Sequence, residues 1–100
     1  MRYLISWELE KPYEENMKKL SEVEKERKKR GISLDDILIF PIHFFLSEFK
    51  AFMIVETDDE ARIAKWEADH MTLAKYKVIP IYESSKMYEA MKERWSHVMK

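Results

Sequence analysis

Hydrophobic and polar positions recur along the chain with two periods. Arg2 to Leu9 alternates, with Tyr3, Ile5, Trp7 and Leu9 on one face and Arg2, Leu4, Ser6 and Glu8 on the other, the pattern of a first strand. Pro12 then falls where a first helical turn tolerates it, and Tyr13, Met17, Leu20 and Val23 or Glu24 recur at helical spacing in a segment running to Arg30. Lys25, Arg27, Lys28, Lys29 and Arg30 put cations at the negative end of the helix dipole, and Gly31 suits the residue just past the helix end. This basic run reads as a solvated helix terminus.

The densest apolar sequence follows, and the rest of the chain reads as its cover. Ile37 to Leu46 is apolar except for Pro41 and His43, and the turn Ser47 to Lys50 separates it from a second run, Ala51 to Val55, which together predict a β-hairpin. Thr57 with Glu60 has the spacing of a capping box and starts a second helix that runs to about Met71. That helix has two apolar sides: Ala61, Ala64, Ala68 and Met71 form one, and Ile63, Trp66 and His70 lie nearly opposite. One side therefore needs a partner or the C-terminal helix as its cover. Lys75 to Tyr82 alternates again, with Tyr76 and Val78 against Ile79 and Ile81. Ser84 or Ser85 can cap a last helix in which Met87, Met91, Trp95 and Val98 recur at helical spacing.

Strand, helix, strand, strand, helix, strand with an extra C-terminal helix predicts an α+β fold of ferredoxin-like βαββαβ type. Its four-stranded antiparallel sheet belongs to a single domain over residues 1–100, with a core at 1–83 and the extra helix at 84–98. Right-handed crossovers place strand three between strands one and two, and strand one between strands three and four. Strands two and four are then the edges, and these are the strands that hold Pro41 and Pro80, which cannot donate to a central ladder. The first two strands carry large apolar residues on both faces. The face without helices therefore needs a cover, most simply a second copy of the same sheet.

Composition narrows the partners. Charged residues make up 37% of the chain, yet the formal net charge is −1, which gives no electrostatic reason to expect nucleic acid. The absence of cysteine excludes disulfides, thiolate metal ligands and cysteine nucleophiles. The longest apolar run, Ile37 to Leu46, is about half of what a membrane-spanning helix needs, and Met1 to Tyr3 begins a strand pattern rather than a signal peptide. A cytoplasmic protein is expected, with no membrane partner. Abundant Lys and Glu, no glutamine and a single asparagine, Asn16, form the bias of a thermophile protein. With Gly31 the one glycine, there is no phosphate-binding loop, and no serine nucleophile motif is present.

Tyr3 to Trp7, the residues around His43, the run Phe52 to Asp59 with the helix after it, and the strand Val78 to Pro80 resemble a family of short uncharacterised ferredoxin-like proteins. That family lies within the dimeric α/β barrel group, and the likeness spans residues 1–82. The resemblance implies the fold and a homodimer. The wider group includes cofactor-independent monooxygenases and small isomerases, which implies a pocket without assigning residues to it. The chain departs from similar proteins at Leu46 to Lys50, which lacks the glycines they carry in this turn, and in its unusually charged first helix.

Candidate chemistry centres on the hairpin. If Leu46 stands opposite Ala51, His43 faces Ile54 and has Glu56 as a diagonal neighbour on the same side of the sheet. A carboxylate there would fix the imidazole tautomer and raise its pKa, making His43 and Glu56 the candidate catalytic pair. The plainer reading is an edge-strand histidine bonded to backbone, and a one-residue slip would separate the two groups. Tyr3, Trp7, Trp66 and His70 are candidate ligand-binding residues, and Tyr76, Tyr82 and Trp95 could also line a pocket for a flat apolar molecule. Aromatic residues at these spacings also build cores. Glu67 and His70 supply half of a helical metal site, so no metal is expected, and no cofactor is implied. Two functions compete. One is a small homodimeric module that binds an apolar ligand or a partner; the other is a cofactor-independent monooxygenase- or isomerase-like enzyme using His43 as acid or base.

Overall fold

Pairing along both edges makes β1 and β3 the centre of the sheet. The computed structural model describes residues 1–69 and 71–98. Its elements are β1 (Arg2–Leu9), α1 (Tyr13–Lys29), a short 3-10 turn (Asp35–Ile37), β2 (Leu38–Phe44), β3 (Lys50–Glu56), α2 (Glu60–Ala68), β4 (Ala74–Ile81) and α3 (Ser84–Val98). The four strands are antiparallel in the order β2-β3-β1-β4, the ferredoxin-like arrangement, with both proline-bearing strands at the edges. Tyr3, Ile5, Trp7 and Leu9 of β1 and Ala51, Met53 and Val55 of β3 point to the helix side. With Leu34, Ile63 and Ala74 they form the buried core. Among the described residues, no helix is long and apolar enough to cross a membrane.

The hairpin register differs from the sequence expectation. Phe44, not Leu46, stands opposite Ala51, and His43 pairs with Phe52 rather than Ile54. The connection is a wide loop, Phe45–Phe49, closed by the Phe45 N–H donating to the Lys50 carbonyl at 2.9 Å. The physical reason lies in the loop's residues. Without a glycine or Asn-Gly pair, the tight two-residue turns that need positive φ are out of reach, so the loop widens. Further along, the register shifts between Leu38 and Phe40 and again between Phe40 and His43, where Pro41 lies. These bulges explain why β2 reads as a continuous apolar run without alternation.

Helix α1 turns Tyr13, Leu20 and Val23 inward as their spacing suggested, but Asn16 and Arg27 share that face and Met17 does not. The inward positions are Tyr13, Asn16, Leu20, Val23 and Arg27, a 3-4 repeat, while Met17 is 43% exposed. The two most buried are polar. Asn16 Nδ2 donates to the Glu10 carbonyl at 2.9 Å, and Arg27 Nη1 donates to the Trp66 carbonyl at 2.8 Å with its guanidinium 4.9 Å from the Trp66 ring. The basic run is thus only partly a solvated terminus. Arg27 ties α1 to α2, and burial pulls its pKa down while nearby Glu24 works in the opposite direction.

Helix α2 starts later than the capping-box spacing suggested. Asp59 is the cap, its Oδ1 accepting the Ala61 N–H at 3.1 Å, and Thr57 Oγ1 accepts the Asp59 N–H at 3.0 Å. Glu60 is engaged elsewhere: its carboxylate accepts the Tyr3 O–H at 2.6 Å. Ile63 faces the core, and Ala61, Ala64 and Ala68 remain exposed, so α3 does not cover them. The α2 side chain Arg62 holds Asp36 with two contacts, at 2.9 and 2.6 Å, and also donates to the Ser33 carbonyl at 2.9 Å. Helix α3 stands away from the sheet. The molecule extends 60 × 31 × 19 Å, and its radius of gyration of 17.3 Å exceeds the roughly 13 Å of a compact chain this long.

Two stability predictions follow from these ties. Arg27→Ala removes the hydrogen bond and the ring contact, and should cost about 2 kcal/mol in urea unfolding. Arg27→Met keeps the stem's packing and removes a buried Nε that has no hydrogen-bond partner, so it should cost about half as much. Arg62 holds the Asp36 carboxyl below its ordinary range. A depressed folded-state pKa means that this contribution is present above the unfolded value and lost as pH falls through the folded one. Asp36→Asn should therefore lower the melting temperature near neutral pH and flatten its fall over the acid range below about pH 4.

Candidate functional site

A cleft opens where α1 leaves the edge strand uncovered. It has a volume of about 350 Å3, and its apolar wall consists of Trp7 and Leu9 of β1, Met17 and Leu20 of α1, Ile42 and Phe44 of β2, and Phe49 of the loop. Phe44 is 67% exposed and Phe49 50% exposed, so these large apolar groups border solvent rather than core. Phe49 is fixed at both ends. Its carbonyl accepts the Leu9 N–H at 2.8 Å, and its ring stacks on Tyr13 with centroids 4.1 Å apart. Glu24, Glu48 and Lys50 complete the lining, and the Lys50 ammonium lies 5.2 Å from the Phe45 ring.

Trp7 in the wall of the cleft belongs to an aromatic cluster. Trp7 stacks on Tyr76 at 5.9 Å and meets Trp66 edge-on at 5.9 Å, while Trp66 meets Tyr76 edge-on at 5.5 Å. Burial pushes the Tyr76 phenol well above its ordinary pKa, partly opposed by Arg27. The interlocked rings thus back Trp7, the one member that lines the cleft.

The face of the sheet without helices is organised in rows across the strands. Ile79, Leu4, Ile54 and Phe40 stand side by side, one from each strand, as a continuous apolar row. The next row is Lys77, Ser6, Phe52 and His43, followed by the alternating charges Lys75, Glu8 and Lys50. Phe52 gathers Phe40, His43 and Phe45 around it at 5.8 to 6.0 Å between ring centroids.

The candidate residues separate into different places. Trp7 lines the cleft and Trp66 lies behind it, but Tyr3 is apart, on a groove between α2 and β4 with Glu60, Ala64 and Pro80. His70, and with it the Glu67–His70 pair, lies outside the described residues. The His43–Glu56 dyad is not formed. His43 Nδ1 is 2.8 Å from the Pro41 carbonyl and its ring stacks on Phe40 at 4.5 Å. Glu56 stands four residues beyond His43's partner Phe52, about 13 Å along the strand. Glu56 faces Arg2 there, with 3.6 Å between charged atoms. The changed register is the cause: the hairpin pairing two residues further along separates them. Among the described residues, no three His, Asp or Glu side chains converge as a metal site.

Met17, Leu20, Ile42, Phe44 and Phe49 were not singled out from sequence as ligand contacts. Their signal was the glycine-free loop, which the sequence displays but whose width only the fold reveals. The family model described as Domain of unknown function (DUF3303) matches residues 1–94. The chain belongs to this family. The DUF3303 match takes in the sheet, both helices packed on it and most of α3, so the cleft and the open face both fall inside it. No curated protein matches the chain.

Proposed function

We propose that the chain is a small homodimeric binding module that takes a flat apolar molecule into the cleft beside the hairpin. The observation that carries this reading is the cleft itself, about 350 Å3 walled by seven apolar side chains, with Trp7 held from behind by Trp66 and Tyr76. That volume falls within the usual range of small-molecule sites, roughly 300–1,000 Å3, and an apolar wall bordering water gains free energy when an apolar ligand replaces the water. The assembly half of the reading is supported by the row Ile79, Leu4, Ile54 and Phe40, which a second copy of the sheet can cover symmetrically. Such a face-to-face pair would group DUF3303 with the dimeric α/β barrel proteins. A chain without cysteine suits a reducing cytoplasm.

Each half has its own measurement. Titration with a neutral naphthalene probe, followed through tryptophan quenching, should saturate in the wild type, and Leu20→Trp, which fills the cleft, should weaken binding about tenfold or more. Unchanged binding in Leu20→Trp would sink the cleft as the site. Light scattering should give twice the 12.2 kDa chain mass, and Ile54→Lys, a charge in the centre of the apolar row, should return it to a single chain. A wild type that stays a single chain would remove the dimer.

A further inference from the structure

We infer that α3 is a clasp: in the dimer proposed above, on which this inference rests, each protomer lays the Met87, Met91 and Trp95 stripe of α3 against the second copy of the chain. Along the described part of α3, every side chain is exposed, Trp95 at 47%, although the three recur on one side of the helix. A helix of 15 residues is marginal in water without tertiary contacts, so this stripe needs a surface to pack on. Its own sheet does not provide one, because residues 84–97 are exposed throughout.

The root of α3 says where that surface is. Arg2 bridges to Glu83, the residue before α3, at 2.9 Å, and Arg2, Glu56 and Ile81 form the last row of the open face. With Tyr82 and Lys86 they surround a hollow of about 240 Å3. The arm therefore springs from the rim of the face that the second sheet would cover, and continues past it. Its length is about 22 Å, enough to reach beyond the rim of the paired sheets onto the flank of the second copy. The two methionines and the tryptophan of the arm are apolar surface continuous with that face through Ile81 and Tyr82.

Hydrogen exchange on the full chain, read by mass spectrometry across a dilution series that spans dimer dissociation, tests the clasp. Peptides of α3 should be protected where light scattering reports the double mass and should lose protection as the mass halves, while β1 and β3 stay protected throughout. Met91→Glu, an exposed position, should weaken dimerisation about tenfold or more without changing protection of β1 and β3. Unprotected α3 in an intact dimer overturns the clasp and leaves the sheet dimer standing, as would α3 awaiting some other protein. Protection that persists in the single chain also overturns it, since α3 would then pack on its own domain. A single-chain mass at every concentration removes the dimer and the clasp together.

Discussion

The pairing of β1 with β3 is the constraint on which the rest depends. Seven consecutive pairs, from Arg2↔Glu56 to Glu8↔Lys50, hold the two strands in one uninterrupted register. Because side chains alternate, that single ladder sends Ile5, Met53 and Val55 into the core and simultaneously lifts Leu4, Phe52 and Ile54 onto the other face. The core and the open apolar row are therefore consequences of one register. A slip by one residue would exchange them.

What lies over the core is less ordinary. Helix α1 is docked by Asn16 and Arg27 as much as by apolar side chains, and a helix so tied is fixed at points rather than along a continuous greasy stripe. Met17 stays on the flank and the end of β2 remains bare on the helix side. The cleft is the space left by that arrangement, and the aromatic cluster behind Arg27 keeps Trp7 in its wall in place. Polar docking of the helix and an apolar cleft beside it are thus two aspects of one packing solution. The ion pair between Arg62 and Asp36 secures the segment before β2 from the other helix, as Arg27 secures α1 to α2.

Besides the cleft, the row across the open face and the stripe on α3 are apolar surfaces that the described residues leave uncovered. A four-stranded sheet with helices on one side can bury only half of its side chains, and α3 contributes nothing to the other half in its own protomer. The functional reading follows from this imbalance together with membership of DUF3303, a family whose description assigns no activity.

The sequence by itself determined the elements and their order. Alternation in Arg2 to Leu9 and Lys75 to Tyr82 marked strands, and right-handed crossovers with Pro41 and Pro80 at the edges were enough for the β2-β3-β1-β4 topology, because crossover handedness is general and proline cannot donate to a central ladder. Only the tertiary structure decided the register of β2, the burial of Asn16 and Arg27 on α1 and the residues that meet at the cleft. The width of the glycine-free loop and the bulges around Pro41 set how far His43 stands from Glu56, and neither length is written in a hydrophobic pattern. Arg27 shows the same limit: in sequence it is one cation among several, and its burial became favourable only when α2 brought the Trp66 carbonyl and ring to meet it.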